Sequence, residues 1–195
     1  MLPRKTTDVF KNEKAISNLV ESIMSEDNNR LIALLGHPGL GKSTVVNAAL
    51  HYVLERRYFS GGVILVNLQQ VRHFNTLERK MKKLIIKSLN LKFGELTARI
   101  EKAKDDELIE YIVDFFQQSS DDLKLIDKRG RPSRDKSNFI VCFDNVEELI
   151  EQEGDKFRKF LADILIDCPN LTVVVTSSKA LTGPHTGQIP NGIQT

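Results

Sequence analysis

Three observations predict an α/β fold in which a mainly parallel sheet is covered by helices on both faces. First, four short apolar runs of strand length occur, RLIALL at 30–35, GVILVNL at 62–68, FIVCFD at 139–144 and LTVVVT at 171–176, rich in the branched residues that strands favour. Second, these runs are apolar throughout rather than alternating, as expected of strands buried on both faces. Third, the segments between them carry apolar residues at helical spacing. Strands alternating with helices give a parallel sheet in three layers, with right-handed crossovers as the expected connection.

The elements follow in chain order. Ala15, Ile16, Leu19, Val20 and Ile23 recur at helical spacing and predict an amphipathic helix over 12–24, ended by the polar stretch SEDNN. The first strand runs to Gly36. A helix over 43–57 is predicted from Val46, Ala49, Leu50, Val53 and Leu54. Tyr58 to Gly62 is a turn, and the second strand follows. Two further helices are predicted, over 76–89 from Leu77, Met81, Leu84, Ile85 and Leu89, and over 105–118 from Leu108, Ile109, Ile112, Val113 and Phe116. Residues 119–138 have no period, contain Gly130 and Pro132, and read as an exposed insert. After the third strand, Phe157, Phe160, Leu161, Ile164 and Leu165 predict a helix from about Asp155 to Asp167, stopped by Pro169-Asn170 before the fourth strand. The tail at 182–195 has a loop composition. The expected organisation is an N-terminal helical lead at 1–29, a core at 30–181 and a C-terminal loop at 182–195.

Composition excludes several classes. The chain has 195 residues, 41% of them hydrophobic and 28% charged, which suits a folded soluble domain. No run approaches the roughly 20 apolar residues of a membrane span. A net charge of +2 gives no general attraction to nucleic acid. Two cysteines, Cys142 and Cys168, cannot build a disulfide framework or a zinc site by themselves. The start, MLPRKTTDVF, is polar and carries no secretory signal, so a reducing cytoplasmic setting is expected.

The chemistry is carried by Gly36-His37-Pro38-Gly39-Leu40-Gly41-Lys42-Ser43-Thr44, which matches GxxxxGK[ST] directly after a predicted strand and opening a predicted helix. A chance match in a chain this long is on the order of one in a hundred, and the strand–helix context lowers that. The glycines permit backbone geometries that let the loop close round phosphate, and successive N–H groups cradle anionic oxygens. The helix start adds its positive end. Lys42 supplies a mobile charge for the β- and γ-phosphates, and the Ser43 hydroxyl is placed to ligate Mg²⁺. All nine residues are therefore expected to bind the phosphates of ATP or ADP. Such a loop marks a P-loop NTPase.

FIVCFD supplies the second element. An acidic residue at the tip of a buried strand holds Mg²⁺ in phosphate-loop nucleotidases, which makes Asp144 the metal carboxylate. Alone, Asp144 would read as a cap for the helix begun by VEELI. The next residue, where many hydrolytic members carry a glutamate base, is Asn145, which cannot accept a proton at neutral pH. Slow hydrolysis, or binding with little hydrolysis, is the expectation. If hydrolysis occurs, Lys42 and Asp144 are the catalytic candidates.

The other reactive side chains carry less. His37 is expected to face solvent, and His51, His73 and His185 show no metal-ligand spacing. Cys142 falls in a core strand and reads as an inert thiol. Lys128, Arg129, Arg131, Arg134 and Lys136 form a basic cluster, but Asp121, Asp122, Asp127 and Asp135 are interleaved, so a solvated insert is favoured over a nucleic-acid contact. The Phe115-Phe116 pair reads as helix packing.

Together these pieces resemble the NB-ARC type of signal-transduction ATPase, the nucleotide switch of apoptotic adaptors and plant resistance proteins. DVFKNEKAISNLVESI at 8–23 is similar to that family's segment before the phosphate loop, with Lys11-Asn12 where the family has Gly-Arg. FSGGVILVNL at 59–68, FIVCFDNVEEL at 139–149 and NLTVVVTSSKAL at 170–181 resemble its aromatic–glycine strand, its magnesium strand and the strand ending in a polar sensor. The resemblance implies that Thr176 and Ser177 join the nucleotide site, with Ser178 or Lys179 at the place of the family's sensor arginine. It implies an ATP/ADP switch with Mg²⁺, and protein partners or self-association through domains beyond residue 195. It also implies a fifth strand beyond the phosphate-loop strand, which this chain lacks, so that the chain reads as the front of a longer switch protein. The rival reading is an AAA+-type ATPase acting as an oligomeric motor or DNA-associated loader, against which Asn145 and the absence of an evident arginine finger argue. A small-molecule kinase would need an arginine-rich lid, and a scaffold that binds nothing would not keep Lys42 and Ser43.

Overall fold

The computed structural model describes residues 12–25, 30–59, 61–89, 113, 116 and 139–181, with side chains to residue 85 in the third helix. The insert at 119–138, the tail at 182–195 and most of the helix predicted over 105–118 lie outside the described residues; of that helix Val113 and Phe116 are described, and both are helical.

Among the described residues four strands form: β1 (Leu31–Leu35), β2 (Gly62–Asn67), β3 (Phe139–Asp144) and β4 (Leu171–Ser177). Their pairings are parallel, in the order β1-β4-β3-β2. The register is Leu31 opposite Val173, Phe139 opposite Leu171, and Gly62 opposite Phe139. The helices that accompany them are α1 (Glu13–Met24), α2 (Lys42–Glu55), α3 (Phe74–Leu89) and α4 (Glu147–Asp167).

Strand periodicity sorts the side chains into two cores. On one face Ala33, Ile64, Val66, Phe139, Val141, Phe143, Val173 and Val175 meet α3 and α4 through Leu77, Met81, Ile85, Phe157, Phe160, Leu161 and Ile164. On the other, Ile32, Ile140, Cys142 and Val174 meet α1 and α2 through Leu19, Ile23, Val46, Ala49, Leu50 and Val53. The layers are thus helix, sheet, helix, as the continuous apolar runs require. β3 is buried along its whole length. The aromatic pairs Phe74–Phe160, Phe116–Phe139, Phe143–Phe157 and Phe143–Phe160 sit edge to face with centroids 5.2–6.0 Å apart. Each adds about 0.5–1.5 kcal/mol beyond the area it buries.

One helix departs from the sequence expectation. The helix begun by VEELI and the helix expected from about Asp155 are continuous after β3, as one element from Glu147 to Asp167. Its two parts meet at Glu153, whose φ of −138° and ψ of 40° are non-helical. Gly154 follows, and glycine in this setting favours a kink. The bend brings Glu153 to the start of α3. Its carboxylate accepts the N–H of Phe74, the first residue of α3, at 2.5 Å, and a hydrogen bond from Lys156 Nζ at 2.8 Å. The Lys156 contact and then the Phe74 N–H hold the Glu153 carboxyl below its ordinary range.

The ends of the strands place the loops that matter. The carboxyl ends of β1, β3 and β4 lie side by side, so Gly36, Asp144 and Thr176 emerge at one edge of the sheet. Gly36 N–H donates to the Ser177 carbonyl (3.2 Å), which continues the ladder into the glycine-rich loop.

Candidate functional site

The loop from Gly36 to Gly41 leaves the buried β1 and turns into α2. Its tip is exposed, with Leu40 60% accessible. Gly39 and Gly41 have φ of 85° and 78°, a region side chains strain to reach. Gly41 is the N-cap of α2, and no side chain caps that end. Gly41 thus offers no side chain to the first N–H groups of this 14-residue helix, a start of the kind at which anions bind.

Lys42 is folded back into this loop. Its Nζ donates to the carbonyls of Gly36 (2.7 Å) and His37 (3.1 Å). The ammonium is thus held over the concavity by two weak acceptors that an anion can replace. His37 is exposed, as its variable place in the motif suggests.

Across the sheet edge, Asp144 is 5% exposed at the end of β3. Its carboxylate has three donors. The Ser43 hydroxyl reaches Oδ1 at 3.0 Å from the first turn of α2, and the Thr176 hydroxyl from β4 reaches the same oxygen at 2.5 Å. The Asn145 side-chain amide donates to Oδ2 at 3.0 Å. Asn145 itself sits in the left-handed region, with φ of 61°, which asparagine tolerates. In that conformation its backbone N–H donates to Thr176 Oγ1 at 2.9 Å.

The structure thus brings Ser43, Lys42 and Asp144 to one place. Thr176 and Ser177 lie beside them but are fully buried. The Thr176 hydroxyl is engaged with Asp144 and Asn145, and Ser177 Oγ accepts the Lys179 N–H at 2.9 Å. The turn after β4 is tied to α4: Ser178 N–H donates to Glu147 Oε1 at 2.8 Å, and the Lys179 ammonium pairs with Glu151. Lys179 is directed to α4 in this arrangement. Arg72, in the loop after β2, pairs with Glu148 at 2.9 Å, which raises the pKa of its guanidinium through that hydrogen bond and charge. Cys142, two residues before Asp144, is fully buried; burial first, and the Asp144 charge second, push its thiol well above the ordinary value.

Two contacts escape a reading of the sequence. The sequence marks Asn145 as a residue that cannot act as a base, and gives no sign that it clamps Asp144. Asn12, half-buried ahead of α1, makes no side-chain cap of its own helix, and its Nδ2 lies 3.1 Å from where a side chain on Gly41 would begin. The sequence signal for Asn145 is an amide next to Asp144, and for Asn12 its place in the Lys11-Asn12 pair ahead of the phosphate loop.

The donor set fits a hard cation. A hydroxyl and a carboxylate oxygen stand within 3.0 Å of one another, with no thiol or imidazole among them. Among the described residues no cluster of three or more His, Cys, Asp or Glu side chains could hold a metal, so the remaining ligands would have to come from phosphate and water. No helix among the described residues is long and apolar enough to cross a membrane.

Comparison with known proteins agrees with this architecture. A sequence model described as Novel STAND NTPase 1 matches residues 5–184. No curated protein matches the chain. Among solved structures, the Walker-type ATPase PABY2304 of Pyrococcus abyssi is similar, with a TM-score of 0.57 and 21% identity over 91% of this chain and 48% of that one. Cdc6p from Pyrobaculum aerophilum superposes with a TM-score of 0.53 and 14% identity, over 90% of this chain and 41% of that one. At these identities the likeness concerns the fold, and the chain spans about half or less of each neighbour's length.

Proposed function

The chain belongs to the Novel STAND NTPase 1 family, and from that premise we propose that it is the nucleotide-binding module of a signalling-type switch, which holds ATP or ADP with Mg²⁺ and turns the nucleotide over slowly or not at all. The observation that carries this reading is the 3.0 Å contact between the Ser43 hydroxyl and the Asp144 carboxylate, made across 101 residues of sequence beside an open helix start.

In this reading the backbone N–H groups of Gly39 to Thr44 bind the phosphate oxygens. Lys42 leaves the Gly36 and His37 carbonyls and moves its charge onto the β- and γ-phosphates. Ser43 and Asp144 are the residues that would hold the metal, the hydroxyl and the carboxylate each supplying a hard oxygen. Mg²⁺, when bound, neutralises phosphate charge and fixes the geometry of the oxygens. Slow turnover is supported by Asn145: its amide donates to Asp144 and has no proton-accepting capacity toward water. The output would pass to protein partners or to further copies of the chain, through a conformational change set by which nucleotide is bound.

The test is to ask what the purified protein carries and how fast it releases phosphate. ADP or ATP retained through gel filtration, with turnover far below the ~10 s⁻¹ typical of enzymes, is the expected result. No nucleotide, together with no thermal shift on adding Mg-ATP or Mg-ADP, defeats it. Efficient hydrolysis that rises with protein concentration would instead favour an oligomeric motor.

A further inference from the structure

The resemblance to NB-ARC domains implies that Thr176, at the tip of the strand beside the phosphate-loop strand, touches nucleotide. Thr176 is fully buried, and its hydroxyl is used twice within the protein: it donates to Asp144 Oδ1 at 2.5 Å and accepts the Asn145 N–H at 2.9 Å. A hydroxyl has one proton to give, and that proton is committed to the carboxylate.

We infer that Thr176 is a positioning residue, which holds the Asp144 carboxylate in the rotamer that meets Mg²⁺ and does not itself contact nucleotide. The inference rests on Asp144 being the metal carboxylate, as proposed above. Three donors fix that group from three directions. Ser43 comes from α2 and is the one that must open when a cation enters. Asn145 holds the second oxygen from within the turn. Thr176 holds the first oxygen from β4 and is the only one of the three that is fully buried. With Ser43 turned to the metal, Thr176 and Asn145 remain to orient the carboxylate. Thr176 also stabilises the left-handed turn at Asn145 by accepting its N–H, so one hydroxyl sets both the carboxylate and the backbone that carries the second clamp.

Outer partners of this kind typically change metal affinity by about 10–100-fold when removed. The variant Thr176→Val keeps the buried shape and deletes the hydroxyl. Thr176→Ser keeps the hydroxyl. Each is compared with wild type and with Asp144→Asn by calorimetric titration of ATP in EDTA and across a MgCl₂ series. The expected result is that Thr176→Val needs about tenfold more Mg²⁺ to reach half of the metal-dependent gain in ATP affinity, with metal-free affinity unchanged. Thr176→Ser should stay within about twofold of wild type. A purely structural defect would weaken ATP binding with and without metal alike, so the two conditions separate the roles. Should Thr176→Val fail to fold, Thr176→Ala gives the same comparison.

Three results overturn the inference. If Asp144→Asn raises the Mg²⁺ requirement and Thr176→Val does not, Asp144 is the metal group but Thr176 does not position it. If Thr176→Val weakens metal-free ATP binding as much as Mg-ATP binding, the hydroxyl acts on the nucleotide or on the shape of the site, and not by positioning the metal carboxylate. If Asp144→Asn leaves the Mg²⁺ requirement unchanged, the metal reading itself falls and takes the inference with it.

Discussion

Replacing Lys42 with alanine removes a charge whose position the structure gives. The ammonium sits 2.7 and 3.1 Å from the carbonyls of Gly36 and His37, so it is already inside the loop. Moved onto a phosphate oxygen, a unit charge about 4 Å from a unit negative charge is worth about 4 kcal/mol at the effective dielectric of a protein surface. Leaving two carbonyl partners costs about 1–2 kcal/mol, since each such bond contributes about 1 kcal/mol net. The difference, about 2–3 kcal/mol, is a loss of about 30- to 150-fold in affinity for Mg-ATP. Stability should change little, because the freed carbonyls face the exposed loop and regain water. The assay is calorimetric titration of wild type and Lys42→Ala with Mg-ATP, beside a thermal melt. A variant that melts like wild type and binds Mg-ATP within twofold of it would show that the Lys42 charge does not act on phosphate.

Three other outcomes are expected. Phe157→Ala should destabilise the fold by about 3–5 kcal/mol in urea denaturation, because this fully buried ring packs edge to face on Phe143; a change below about 1 kcal/mol would mean that this face of the sheet is not packed as described. Cys142 and Cys168, the second pushed up to about 11 by burial, should resist alkylation at pH 8 in the native protein and both react once the chain is unfolded; rapid native labelling of either would contradict their burial. The Glu153 carboxyl titrates below its ordinary value in the fold, so its contribution to stability is present above pH 4.5 and lost as pH falls through the lowered value; the stability gap between wild type and Glu153→Gln should narrow on acidification below about pH 4.5, and a gap that is constant from pH 7 to 3 would show that Glu153 does not cap α3.

Much of this fold is legible in the sequence because its strands are buried on both faces. Such strands announce themselves as uninterrupted branched runs, and all four appear within a residue or two of their predicted ends. The glycine-rich loop is legible for a different reason: its conformation depends on neighbours in sequence. The course of α4 is only half legible: VEELI reads as the start of a helix and the apolar spacing from Asp155 as another, but no local pattern shows that the two join at a bend where Glu153 caps α3, 79 residues away. The contacts of Thr176 are hidden for a similar reason. Its partner Asp144 is 32 residues away, and the two meet because β4 lies between β1 and β3 in a register that sets Val175 opposite Phe143. Strand order is a property of the whole sheet, and no local pattern encodes it. The resemblance to NB-ARC domains points to the broad class of phosphate-loop NTPases, and the family match places the chain among the novel STAND NTPases within it.

The proposed nucleotide site, Gly36 to Thr44 with Asp144, is tested most directly by calorimetric titration of the nucleotide-stripped protein with ATP in the presence of Mg²⁺. The expected result is a single site of one ATP per chain whose affinity falls when Mg²⁺ is chelated. No heat of binding for either ATP or ADP, from protein that is folded by its melting transition, would contradict it.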